Sequence, residues 1–252
     1  MPPLPQATDI DDVVAHLDAV IGDCRARGSR MGYFAALYRR VTVEVKGRMD
    51  KGQFLDAERM ERLDTVFANR YLEAYHRHRR GEAPTRAWAY AFAAAEDPAP
   101  VLLQHLLMGM NAHIALDLGV AAAAVARRHR REGFKHDFDV INTVLSDLVD
   151  EIQDEVSHSS GLLRFLDGLG GRLDERLCGF CLAQARGRAW RRATALLQTP
   201  EATHPMLIDR FDRHVEQTAQ RIHRPAAVPD LLLYHLRRAE EAPVPALIDR
   251  LV

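Results

Sequence analysis

Residues 101–126 read VLLQHLLMGMNAHIALDLGVAAAAVA, and the fold follows from how this stretch is understood. It is apolar around the whole helical circumference and exceeds the roughly 20 residues needed to cross a bilayer. Polar groups nevertheless punctuate it at Gln104, His105, Asn111, His113 and Asp117. An Asp near the middle of a lipid-facing helix costs about 2.5–3.5 kcal/mol. No second segment of this kind is available to shelter it. A helix apolar on all sides, with buried polar groups, is then the enclosed centre of a helical bundle.

The flanking sequence supports this placement. Asp97-Pro98-Ala99-Pro100 breaks the chain and launches the central helix, which ends before Gly133. Upstream, Ile10, Val13, Val14, Leu17, Val20 and Ile21 recur at helical spacing, with Thr8 and Asp11 resembling a capping box and Gly28-Ser29 a break. Further helices are expected over Met31–Met49, Asp56–Arg79 and Ala87–Ala95. The run Val41-Thr42-Val43-Glu44-Val45 is locally β-prone. Downstream, Asp137 or Asp139 is expected to cap a helix reaching Val156, and Ser157–Gly161 forms a loop. A short helix follows over Leu162–Leu169, then a Gly168–Gly171 corner. Helices over Leu173–Leu197, Met206–Ile222, Asp230–Glu241 and Val244–Leu251 complete the chain. Neither alternating strands nor internal repeats appear. The expected fold is all-α, a single-domain multi-helix bundle of about eight to ten helices around the central element near 98–130. Residues 1–7 read as a flexible N-terminal segment, and 226–252 as C-terminal helices of weaker periodicity.

The totals remove several function classes. The 252 residues carry a formal net charge of -1, so no general attraction to nucleic acid or an anionic membrane is expected. The basic run Arg127–Arg131 lacks interleaved aromatics and reads as a solvated helix end. The first residues show no basic region followed by an apolar stretch, and the three cysteines make no even framework. A cytoplasmic setting is the expectation. The pair Cys178 and Cys181 forms a C-x-x-C outside any βαβ context, where a structural role is the simpler reading. The phosphate-binding and dinucleotide-binding glycine patterns are absent, so no nucleotide cofactor is expected.

The chemistry-bearing residues lie on the central helix. His105, Gly109, His113 and Asp117 trace one slowly drifting stripe. His113 and Asp117 are four residues apart and about 6 Å along the axis, so they share a face. They can chelate a divalent metal together, or Asp117 can fix the imidazole tautomer. Two ligands do not complete a zinc site. His105 lies about 12 Å away, so it serves a second site or another part of a pocket. Gly109 leaves room for a ligand or for another helix. A buried polar group without a partner costs roughly 1–3 kcal/mol, so these groups must be paired, bound to a ligand, or line a wet cavity. Asn111, Asp139 and Asn142 are candidate contributors. Asn69, Tyr71 and Trp88, with Tyr75 and Phe92 nearby, are candidates for a substrate-facing wall. His214 reads as a boundary residue of an amphipathic helix.

The run Leu106 to Leu118 resembles the signature of a bacterial, mainly actinobacterial, family of all-helical domains of unknown function: Leu-Leu-x-Gly-Met-Asn-Ala-His-Ile-x-x-Asp-Leu. Phe67-Ala68-Asn69-Arg70-Tyr71, Trp88, Asp139 with Asn142, Ala185-Arg186 and Ala189-Trp190 are similar to its other landmarks. The resemblance spans roughly residues 30–225 and implies an all-helical fold without a defined activity. Two functions remain open. One is an enzyme acting on a small organic molecule in an inter-helical pocket. There His113, Asp117 and His105 carry acid–base or metal-assisted, hydrolase-like chemistry. The other is a non-catalytic binding or scaffold protein whose buried polar network is structural. Oligomeric state is not legible.

Overall fold

The computed structural model describes residues 5–128, 132–141, 182–226, 230–240 and 242–252. Among them there is no strand. Helix α1 spans Ile10–Arg27, α2 Met31–Asp50, α3 Ala57–Arg79 and α4 Arg86–Glu96. The central element has three parts: α5 (Leu102–Met110), a π-helical segment (Asn111–Asp117) and α6 (Leu118–Arg128). Residues 134–141 are helical. Then come α7 (Leu182–Gln198), a 3₁₀ turn (Glu201–Thr203), α8 (His204–His223), α9 (Asp230–Ala239) and α10 (Val244–Leu251). The fold is the expected all-α multi-helix bundle. The expected features between 142 and 181, including Asn142, the Gly168–Gly171 corner, Cys178 and Cys181, lie outside the described residues.

Local chemistry sets the helix ends. The cap of α1 is one residue later than the sequence pattern suggests: Asp9 accepts the Asp12 N–H at 2.8 Å. Asp12 in turn accepts the Thr8 hydroxyl at 2.7 Å. At the other end Gly28 adopts φ 60, and the Gly28 and Ser29 N–H groups close on Arg25 and Cys24 carbonyls. This left-handed closure satisfies carbonyls the helix leaves open. The β-branched run Val41–Val45 is helical throughout, because α2 buries a long face that includes Tyr33, Phe34, Tyr38, Thr42 and Val45. Tertiary packing overrides its local preference. The N-terminal segment is anchored at its end: Ala7 is buried, and Asn69 of α3 both accepts from its N–H and donates to its carbonyl, each at 2.9 Å.

Two caps come from distant side chains. The side chain of Thr85, the residue before α4, does not cap it. Instead, buried Asp212 of α8 accepts the Arg86 and Ala87 N–H groups at 2.7 and 2.9 Å. Asp137 was expected as a possible N-cap of its own helix, but residues 134–141 are already helical around it. It accepts instead from the Leu55 and Asp56 N–H groups at the start of α3. It also pairs with buried Arg59 at 2.7 Å, and the Arg59 guanidinium covers the Phe134 ring.

The central element is enclosed as its composition requires. The stretch Leu102–Arg127 is long and apolar enough to cross a membrane, yet its most apolar window is 89% buried inside the protein. Two glycines allow close helix approach. A Cβ on Gly109 would fall 2.6 Å from the Phe34 ring of α2. One on Gly119 would fall 2.9 Å from the Ala189 carbonyl of α7. Gln104 ties α5 to the end of α8 by donating to the Ile222 and His223 carbonyls.

Candidate functional site

The π-helical segment lies in the middle of the molecule and contains both His113 and Asp117. The Leu118 N–H bonds to the His113 carbonyl, one residue further back than in an α-helix. Single π turns inside α-helices recur at functional sites. Every residue from Asn111 to Asp117 is buried.

His113 stands in an aromatic enclosure. Phe67 of α3 stacks on its ring at 3.5 Å with an interplanar angle of 9°. Tyr38 of α2 meets it edge-on at 4.4 Å and Phe34 at 5.5 Å. Tyr71 and Trp88 close the far side, each with its centroid 6.1 Å away. The imidazole is 2% exposed, and neither ring nitrogen has a hydrogen-bond partner among the described residues. The nearest carboxylate contact is Asp117 Oδ2, 3.7 Å from Nδ1 and beyond hydrogen-bond length. Burial keeps the imidazole below its ordinary titration range, against the opposing pull of Asp117. Burial thus favours the uncharged imidazole.

Asp117 is held differently. Its Oδ1 accepts Arg70 Nε at 2.8 Å and its Oδ2 accepts Trp88 Nε1 at 2.7 Å. Although burial opposes ionisation, the Arg70 charge and the contacts with His113 and Trp88 hold the carboxyl below the usual range. A carboxylate in a low-dielectric site is tolerable only with such partners. Arg70 is partly exposed and links this buried charge to the surface.

More unpaired polar atoms border the enclosure. Among the described residues, the buried hydroxyls of Tyr38 and Tyr71 and Oδ2 of Asp64 meet no partner within hydrogen-bond length. Burial pushes both phenols well above the ordinary tyrosine value, and Asp64 and then Asp117 add to the effect on Tyr38. Burial, reinforced by Glu61, raises Asp64 to about 7. Asp64, Phe67 and Tyr71 follow helical spacing along one face of α3.

The other sequence candidates separate. Trp88 and Tyr71 belong to the enclosure. Asn111 donates to the Val215 carbonyl at 2.8 Å and fastens α8 to the central element. Asn69 clasps Ala7, away from the imidazole. Asp139 forms an ion pair with Lys135 one turn earlier, a partly exposed pairing on the helix surface. His214 is exposed. His105 is 6% exposed, and its ring nitrogens meet no partner within hydrogen-bond length among the described residues. It lies in a second polar group beside Tyr33, whose ring is 6.0 Å away. Burial, with Arg30, His223 and Arg237 nearby, lowers His105 to about 3. In that group Glu240 accepts the Leu102 N–H at 2.9 Å.

Among the described residues, His113 and Asp117 gain no third donor for a metal ion. No group of three or more His, Cys, Asp or Glu placed to hold a metal ion occurs among the described residues. Both Asp117 oxygens already accept from nitrogen donors. The site also uses residues that sequence reading did not single out. Phe34 and Tyr38 look like ordinary core residues of an amphipathic helix, and Asp64 like a solvated carboxylate. Arg70 carries one available signal: a buried Asp117 needs a cation.

A family model described as a family of unknown function, DUF5995, matches residues 10–225, leaving 226–252 beyond the match. No curated protein and no solved structure matches the chain.

Proposed function

We propose that this chain, which belongs to the DUF5995 family of unknown function, is an enzyme that moves a proton on a small, uncharged organic molecule, with neutral His113 as the base. One observation carries the reading: a fully enclosed imidazole, whose nitrogens have no hydrogen-bond partner among the described residues, is set in a π turn and walled by five aromatic rings. Leaving such groups unsatisfied costs roughly 1–3 kcal/mol each, which a purely structural core has no reason to retain. A neutral imidazole needs little tuning to act as a base near pH 7. Asp117 orients and stabilises the imidazolium as it forms, while Arg70 and Trp88 keep Asp117 ionised. Because Arg70 and Asp117 offset one another, the enclosure presents mainly aromatic faces and neutral hydrogen-bonding groups, which suit an uncharged ligand. Phe67 and Arg70, both partly exposed, mark the side by which it enters.

Isomerisation, cyclisation and elimination are the reaction types in keeping with this site. Metal-assisted hydrolysis has less support, since the described residues offer His113 and Asp117 no third donor. A cytoplasmic location, a bacterial and mainly actinobacterial range, and independence of nucleic acid and membrane belong to the same reading. The scaffold alternative draws on Asn111, Asn69 and Gln104, whose amides all serve backbone groups.

His113→Leu separates the two readings. The protein and its variant are incubated with a panel of small uncharged metabolites in deuterated water, and deuterium uptake is followed by mass spectrometry. For an enzyme, turnover disappears in the variant while Tm holds or rises, because two unmet polar groups have been removed. A fall in Tm of many degrees, with no exchange by the unaltered protein on any compound, favours the scaffold.

A further inference from the structure

We infer that Arg192 is the positioning residue for His113, holding the π segment in the register that sets the imidazole against Phe67 and Asp117. The inference rests on reading His113 as the base. A π turn is rare inside an α-helix and persists where its surroundings over-determine it. Arg192 of α7 supplies such a contact, donating through Nη1 to the carbonyl of Ala115, midway between His113 and Asp117.

The surroundings of Arg192 indicate that this bond is why an arginine is there. Its side chain is nine-tenths buried. Among the described residues it forms no ion pair, and its guanidinium lies over the Phe211 ring at 5.2 Å. Burial, with Arg188 and Arg191 acting in the same direction, lowers it to about 10. A buried cation that meets a carbonyl and a ring, and no carboxylate among the described residues, is costly compared with a hydrocarbon of the same size. Its retention makes sense if the carbonyl needs a donor that a hydrocarbon cannot offer. Gly119 makes the approach possible. A Cβ there would sit 3.1 Å from Arg192 Cβ as well as 2.9 Å from the Ala189 carbonyl. The bare backbone of α6 lets α7 descend until Arg192 reaches the π turn.

The test needs no substrate. Because His113 stacks on Phe67 and meets Tyr38 edge-on, its ring protons experience strong ring currents, and their NMR shifts report its position. We expect Arg192→Met to move these resonances toward the ordinary histidine value by several tenths of a ppm. Gly119→Ala, which displaces α7 but keeps Arg192, gives the same direction of change. Arg192→Lys still offers a donor to the carbonyl and retains most of the native displacement. The exposed His214 serves as a reference and stays fixed. Should Arg192→Met fail to fold, Gly119→Ala and Arg192→Lys decide the matter. Native His113 shifts in a folded Arg192→Met or Gly119→Ala protein overturn the inference, as does a change in the Lys variant as large as in the Met variant. Unchanged shifts alongside loss of turnover in His113→Leu would remove the positioning role and leave the proposed base intact.

Discussion

Tyr38 feels two carboxyl groups that have been driven in opposite directions. Asp117 is fully enclosed but accepts from Arg70 and Trp88, so it stays ionised. Asp64 has one buried oxygen with no partner, and burial raises it to about 7. The difference is one of partners. For Asp64 the sign of the stability effect is definite. Its folded value exceeds that of an unfolded Asp, so the folded state holds more protons between about pH 4 and pH 7, and stability falls as pH rises through that window. Asp64→Asn removes this dependence. Discounting for partial exposure, the variant should be about 1–2 kcal/mol more stable than the parent at pH 8.5, with little difference at pH 4. Urea midpoints at the two pH values measure it, and a constant offset contradicts it. At this scale the sequence revealed His113 and Asp117, because charged groups in an apolar helix demand an explanation. It could not reveal Asp64, which lies between Leu63 and Thr65 and looks like any solvated acid. The partners of Asn111 and Asn69 were equally hidden, since an amide serves a backbone carbonyl as readily as a ligand.

Helices were legible from apolar spacing and from glycine and proline breaks, and their ends fall within a few residues of expectation where they are described. Their deviations were not legible. The π segment differs from an α-helix by a one-residue slip in bonding that no residue type announces. The cap of α4 belongs to the same class, because Asp212 is more than a hundred residues away in sequence and reads simply as an acid within α8. Its carboxylate receives the first N–H groups of the helix that carries Trp88. Removing a capping acceptor costs about 0.5–2 kcal/mol, and here the Ala87 N–H left without its partner is buried. Asp212→Ala should therefore lower stability by about 1–2 kcal/mol in urea denaturation, within the range for a lost cap. It should also hasten amide hydrogen exchange at Arg86 and Ala87 before exchange elsewhere. Unchanged exchange at those two amides would mean that α4 starts without help from α8.

Across the whole molecule, the central element is enclosed by several helices and not by one partner, which is why its polar residues find such different company. His113 faces α2, α3 and α4, whereas His105 faces the α1–α2 corner and the C-terminal segment. Sequence spacing placed these two imidazoles apart, but it could not say which helices surround each, because neighbour choice depends on surfaces that one helix does not encode. The C-terminal segment lies beyond the family match, yet it completes the core: Leu247, Ile248 and Leu251 are buried, and Glu240 serves the start of α5.

One consequence concerns the thiol beneath that last helix. A Cβ on Gly32 would meet both Ile248 and Cys24, so these three residues share one contact. Cys24 is fully buried, and burial raises its thiol above the ordinary value. An alkylating reagent can then reach it during excursions that open this packing, lifting of the last helix among them. Ile248→Ala should accelerate alkylation of the Cys24 peptide at least tenfold, following from a loss of about 2 kcal/mol or more on such truncations. The protein thereby carries its own stopwatch for the release of its carboxyl-terminal seal.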